Sequence, residues 1–470
     1  MSAPGEENAA GNAAVNTTSA RRQRWSDVRR LLAVRTDNLG DVLMTTPALA
    51  ALRQRLPEAH ITLLTSKAGA AAAAHIPVDD AWACSPAWTP QGQAAEALAD
   101  RRAALGHRDA ELVDRIAEGG FDAAVVFTVC TQSALPAALV CRMAGVPLRL
   151  AHARENPYAL LTDWVPETDR VETGMRHEVR RQLDLVASIG AVDRGADGDR
   201  LRFTVHEADR QRVRARLAAA GLRGLGDRAN DRAGGGLVLL HPGASAASRR
   251  WPAPAFGHVG AALAQLGWPV VVAGADGDIA LVQAVCSAML AAGAAPPLAL
   301  AGELSLGELA ALVEAAAVLV GNNSAPSHLA AALGTPVVNL YALTNPQHTP
   351  WQVPHRVLSH DVSCRWCLKS ACPEHHHLCL LGVREEAVVD ATLALLTERG
   401  VADGVMPTLT DVIAAGVAAP ADHAEHDDPA DHVELADDAD HTDPLAPGDS
   451  PAWPFAVIPT PAPATAARPR

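Results

Sequence analysis

The chain has 470 residues, of which 49% are hydrophobic and only 3% aromatic, and its formal net charge is −14. That length is enough to bury two domains of ordinary size, which excludes a single small module. No basic stripe or aromatic stacking platform appears, so nucleic acid is excluded as a partner; the 13 Asp/Glu and 2 Arg from Val401 onward place most of the negative charge in one terminal segment.

Residues 1–28 open with small polar residues, MSAPGEENAAGNAAVNTTSA, lack the apolar core of a signal peptide, and are read as a disordered tail. No apolar run approaches the roughly 18–20 residues needed to span a bilayer. The expected location is the cytoplasm, with contact at the inner face of the cell membrane. Eight cysteines, unevenly placed, do not make a secreted disulfide scaffold of this length.

From Arg30 the pattern is strand LLAV, loop RTDNLG, helix DVLMTTPALAALRQRL and strand HITLLTS, with a further apolar run, FDAAVVF, from Phe121 to Phe127. Short apolar strands separated by helices predict a parallel sheet covered on both faces. Residues 29–205 form the first expected domain. Residues 206–235, ending in the glycine-rich, charged GLRGLGDRANDRAGGG, are read as a linker. A second series, GLVLLHPGA, WPVVVAGA, PLALAG, SLGELAALVEAAAVLVG and TPVVNLYAL, makes 236–399 the second domain, with Ser305 and Glu308 spaced as a helix-capping pair. Residues 400–470 are acidic and Pro/Ala-rich and cannot bury enough apolar surface to offset ordering entropy. The fold class is therefore α/β: two Rossmann-like doubly wound domains facing a central cleft, with disordered termini. Ligands of such sheets bind outside the C-terminal ends of the strands.

Three loops at those ends suit a phosphorylated ligand. In VGNNSAPSHLAAALGTP the strand ends near Gly321 and a helix opens at Pro326; its N-terminal N–H groups suit phosphate, while Asn323, Ser324, Ala325 and His328 lie at its mouth. Asn323 and Ser324 equally suit simple helix caps. HPGASAASRRWP brings His241, Gly243, Ser245, Ser248, Arg249 and Arg250; its arginines suit charge-assisted bonds to a diphosphate, or solvent. AGADGDIA offers Asp276 and Asp278, placed to hold ribose hydroxyls or to make a turn that needs no ligand. In the first half, RTDNLGDVL has Gly40 for a tight turn and Asp41 in the first turn of a helix, where a carboxylate can take a proton from a hydroxyl or merely favour the helix dipole.

Together RTDNLGDVLMTTPALAALR, HEVRRQLDLVASIG, HPGASAASRRWP and SLGELAALVEAAAVLVGNNSAPSHLAAALGTPVVNLYALTNP resemble glycosyltransferase family 9, the lipopolysaccharide heptosyltransferases, over about Leu31 to Glu398. The resemblance implies a GT-B fold and inverting, metal-independent transfer of heptose or a related sugar from a nucleotide-diphosphate donor. The acceptor would be a glycan or glycolipid of cell-envelope polysaccharide synthesis. It implies Asp41 as general base and donor binding in the second domain, with Arg249 in place of a family lysine. Asn323, Ser324 and Ala325 stand where the family has Asp-Ser-Gly, which leaves the donor sugar open. A nucleotide-sugar epimerase on the same fold, or a catalytically weakened nucleotide-sugar-binding or scaffold protein, are the alternatives. No cofactor is expected for catalysis. Cys364, Cys367, Cys372 and Cys379, with His375, His376 and His377, fit a structural zinc as well as free thiols or a disulfide.

Overall fold

The computed structural model describes residues 19–89, 106–171, 174–222 and 236–399. The first half runs β1 (Arg30–Arg35), α1 (Leu39–Arg55), β2 (His60–Thr65), α2 (Lys67–Ala70), β3 (Asp80–Ala83), α3 (His107–Gly119), β4 (Ala123–Val126), α4 (Leu135–Met143), β5 (Leu148–Ala153), β6 (Asp163–Pro166) and α5 (Glu178–Ala187). After α6 (Glu207–Ala219) the second half runs β7 (Leu237–His241), α7 (Ala253–Gln265), β8 (Val270–Gly274), α8 (Ile279–Ala291), β9 (Leu298–Ala301), α9 (Leu306–Ala315), β10 (Ala316–Asn322), α10 (Ala325–Leu333), β11 (Val337–Leu340), β12 (His355–Leu358), α11 (Leu378–Leu381) and α12 (Glu385–Glu398).

Each half is one six-stranded, wholly parallel sheet, ordered β3-β2-β1-β4-β5-β6 and β12-β11-β10-β7-β8-β9. Numbered within its own half, the second order is the same 3-2-1-4-5-6 as the first, the doubly wound dinucleotide-binding arrangement. Central strands are apolar on both faces because helices cover both: β7 and β10 are buried end to end. One apolar cluster is continuous across the two halves, joining Leu43 and Leu52 of α1 to Leu312 of α9 and Leu329 of α10. The halves therefore share a core, and each buried leucine in it contributes about 1.5–3 kcal/mol.

Part of the segment read as a disordered tail is structured. Trp25 is fully buried and its indole N–H donates to Asp163 at 3.1 Å, so the segment before β1 is anchored on the edge strand β6. The segment read as a linker contains α6, which leans on the second half through Arg210–Glu314 at 2.6 Å and Arg212–Glu308 at 2.9 Å. The expected capping pair is present at α9, with Ser305 Oγ accepting from Glu308 N at 3.2 Å and Glu308 Oε2 accepting from Ser305 N at 2.9 Å. The remainder of the tail and linker readings, residues 1–18, 223–235 and 400–470, lies outside the described residues. Among the described residues no helix is long and apolar enough to cross a membrane.

Candidate active site between the two sheets

Both sheets turn the C-terminal ends of their central strands toward one cleft of about 420 Å³. Asn38, Leu39, Gly40, Asp41 and Met44 line it from α1; His241, Gly243, Ala244, Ser245, Arg249 and Arg250 follow β7; Asp278 precedes α8; Asn323, Ser324, Ala325 and His328 come from the mouth of α10. Of the catalytic and donor-binding candidates named from the sequence, all but Asp276 and Ser248 line this one crevice. The Ser248 hydroxyl instead donates to Ser370 O at 2.7 Å.

The mouth of α10 is open. Ser324 occupies the N-cap position but makes no side-chain cap bond, so the simple capping reading of this residue does not hold. Asn322 has a structural task, its Oδ1 accepting from Trp251 N at 3.0 Å and its Nδ2 donating to Pro242 O at 2.6 Å. That clamp fixes the loop after β7 against the end of β10. Asn323 is buried and its Nδ2 has no partner. A buried amide left unsatisfied costs about 1–3 kcal/mol, so this one is suited to donate to an acceptor in the cleft. Arg249 Nε, His241 Nδ1 and His328 Nδ1 are likewise buried without partners. Burial holds His241 and His328 below the ordinary imidazole range, so both rings are neutral at pH 7 and present their free nitrogens as hydrogen-bonding groups rather than charges.

At two glycines a side chain would crowd the cleft. A Cβ at Gly243 would stand 2.2 Å from Asp278 Oδ2, and one at Gly40 would stand 3.0 Å from His328 Cδ2. Gly40 lies inside α1 rather than in a tight turn, contrary to the sequence reading; its role is to let α1 approach the ring of His328 in the opposite half. Asp278 Oδ2 also accepts from Ala275 N at 3.1 Å, closing the turn before α8.

Asp41 is 16% exposed and faces Arg35 Nη2 at 3.3 Å. Arg35 is fully buried and also pairs with Asp37 at 3.0 Å and Glu178 at 3.0 Å. Burial alone would favour the neutral guanidine, yet Asp37, Glu178 and Asp41 together hold its pKa above the ordinary arginine value. Sequence reasoning missed three residues here. Arg35 and Glu178 are 143 positions apart, so no local pattern links them, although an arginine closing an apolar strand was a visible signal. His348 lines the cleft from the loop after β11 with a buried, unpartnered Nε2.

Of the readings left open for the cysteine cluster, the structure shows free thiols. Among the described residues no group of three or more His, Cys, Asp and Glu side chains is placed to hold a metal ion. Cys364, Cys367, Cys372 and Cys379 are free, partly exposed thiols, and Cys364 Sγ lies 3.6 Å from His376 Nε2.

Two such sheets facing one cleft make a GT-B architecture, with a carboxylate on one wall and a helix mouth on the other. The chain belongs to glycosyltransferase family 9 (heptosyltransferase), whose sequence profile matches residues 110–378. The match begins downstream of Asp41. It is similar to lipopolysaccharide heptosyltransferase 2 of Escherichia coli strain K12, with 24% identity over 383 residues covering 79% of this chain and 99% of the relative. Lipopolysaccharide heptosyltransferase 3 of Escherichia coli is 26% identical over 67% of this chain and 83% of its own length. In structure the chain resembles the family 9 glycosyl transferase of Veillonella parvula DSM 2008, with TM-score 0.61 and 22% identity over 79% of this chain and 98% of the other. It also resembles the ADP-heptose LPS heptosyltransferase II of E. coli, with TM-score 0.58 and 22% identity over 78% and 99% of the two chains.

Proposed function

We propose that this glycosyltransferase transfers heptose or a related sugar, with inversion and without a catalytic metal, from a nucleoside-diphosphate donor to a glycan or glycolipid acceptor of lipopolysaccharide synthesis. Residues 29–205 would hold the acceptor and 236–399 the donor. The observation that carries the reading is the pairing of Asp41 with an uncapped helix mouth across one crevice. The names of the relatives make ADP-heptose the first donor to try.

In this reading the donor diphosphate sits against the first N–H groups of α10 and the guanidinium of Arg249. These groups stabilise the negative charge that grows on the departing diphosphate, a contribution that commonly dominates such barriers. Arg249, in the place of a family lysine, keeps the charge and adds a fork of donors. Asp41 takes the proton from the acceptor hydroxyl as its oxygen attacks the anomeric carbon from the opposite side, which inverts the configuration there. Asn323 offers its free Nδ2 to the donor in place of a carboxylate. Asp278, already engaged with Ala275 N, presents its remaining oxygen to ribose hydroxyls. The enzyme would work in the cytoplasm at the inner membrane face, where a glycolipid acceptor presents its sugars.

Replacing Asp41 with Asn keeps shape and removes the proton acceptor. Turnover of ADP-heptose with a de-acylated lipopolysaccharide core should fall by about 10²–10⁴, the range typical of a lost general base. Unchanged turnover in D41N would remove Asp41 from the mechanism.

A further inference from the structure

Arg35 reaches Asp41 with only one of its donors, and what occupies the others decides how much positive charge falls on that carboxylate. Glu178 Oε1 accepts from Nη1 at 3.0 Å, and Asp37 Oδ2 faces Nε at 3.0 Å. The contact left for Asp41, Nη2 to Oδ1, is the longest of the three at 3.3 Å. Glu178 is fully buried, as is the guanidinium it holds. Its Oε1 is further fixed by Gln182 Nε2 at 2.5 Å, and Arg181 Nη1 lies 3.8 Å away. Burial pushes the Glu178 carboxyl upward, but Arg35 and Arg181 outweigh it and hold it below the usual carboxylate range. Glu178 is therefore an anion at neutral pH, buried on Arg35 and not part of the lining of the cleft.

The same residue touches the opposite half through its backbone. Glu178 N donates to Gln347 O at 3.1 Å, in the loop that carries His348 into the cleft. Beside it, His177 Nε2 bonds Thr349 O at 2.9 Å. One end of α5 thus reads the position of the donor-side loop while its first side chain reaches the arginine that pairs with Asp41.

We infer that Glu178 is a positioning residue for the transfer reaction: by binding Arg35 it fixes the Asp41 carboxylate in the cleft and keeps the guanidinium from neutralising it. Without that anion, the charge of Arg35 would be shared by Asp37 and Asp41 alone, and the closer pairing that follows would occupy the lone pairs that must take the acceptor proton. The titratable groups facing this centre are Arg35 of β1, Asp37 of the loop after it, Glu178 of α5, His348 of the loop after β11, His328 of α10, whose ring abuts Gly40, and Arg249 on the opposite wall. The inference rests on the assignment of Asp41 as base.

The test is a Glu178→Gln variant, which keeps the shape and a hydrogen bond to Arg35 but removes the charge. With ADP-heptose and de-acylated lipopolysaccharide core, kcat should fall at least about tenfold while donor KM stays within about twofold, and the acidic limb of the kcat/KM profile should move to lower pH. Should E178Q fail to fold because buried Arg35 loses its main partner, Asp37→Asn serves instead. It removes another anion from the same arginine at a less buried place and should move the acidic limb in the same direction. Wild-type kcat and an unmoved acidic limb in a folded E178Q or D37N would overturn the inference. D41N measured alongside separates the two claims: full turnover in D41N sinks the base assignment, whereas loss in D41N with a wild-type profile in E178Q sinks only the role of Glu178.

Discussion

Gly243 shows how a single missing side chain shapes the cleft. Its backbone needs no unusual conformation, yet a methyl group there would stand 2.2 Å from Asp278 Oδ2, an atom that holds the turn at Ala275. Gly243→Ala should therefore displace both the loop after β7 and the carboxylate beside it. An increase of about tenfold or more in donor KM is expected, equivalent to about 1.4 kcal/mol of lost binding. Steady-state kinetics with varied ADP-heptose check it, and an unchanged KM would show that neither group meets the donor. His241 and Asn323 were legible in the sequence because they sit at the end of an apolar strand, and Asp41 and Arg249 because they lie in the segment that follows one, where the chain's own grammar announces a turn facing the cleft. His348 was harder to see, since its loop, TNPQHT, carries no glycine-rich or basic signature. Glu178 lies in a stretch that resembles a family segment, but what makes it matter is a partner 143 positions away.

At the scale of elements, the start of α5 carries a pH-sensitive joint. His177 is its N-cap, with Nδ1 accepting from Val179 N at 3.2 Å and Nε2 bonding Thr349 O at 2.9 Å. Both bonds require the neutral ring with its proton on Nε2. Burial pushes the imidazole down from 6.5 to about 4, only partly offset by the bond to Thr349. Between those values the unfolded chain binds a proton that the folded chain refuses, so stability must fall as pH drops through that window. His177→Asn retains a capping acceptor without a titrating group. Its unfolding free energy should decline less than that of the natural chain between pH 6.5 and pH 4, by about 1–3 kcal/mol, as measured by denaturant titration at each pH. Identical slopes in the two proteins would contradict this account. The strands and most helices were readable from periodicity, because parallel strands buried on both faces leave near-continuous apolar runs. The position of α6 was not, since Arg210 and Arg212 look like a solvated helix face until Glu314 and Glu308 of the second half are seen beside them.

On the scale of the whole molecule, two sheets of identical order share one apolar cluster and leave a polar crevice between their strand ends. A diphosphate held by α10 and Arg249 would bind only the folded arrangement. Saturating ADP, at about 100 times its Kd, should therefore raise stability by about 2.7 kcal/mol, read as an upward shift in Tm. A shift with ADP that disappears in Arg249→Ser locates the nucleotide on that wall; an equal shift in the variant places it elsewhere. The doubly wound architecture and the central crevice were both expected from chain order. The degree of fusion was not: an apolar cluster spanning Leu43 to Leu329 arises only when the two halves are set together, and nothing in either half alone records it.

The amide of Asn322 ties Pro242 and Trp251 to the end of β10, and this has a bearing on how the enzyme's preferences could be altered. The two segments that would grip the donor are fastened together by this side chain as well as by the pairing of β7 with β10, so they form one block rather than interchangeable modules. Grafting either segment from a relative with another sugar should fail unless its counterpart travels with it.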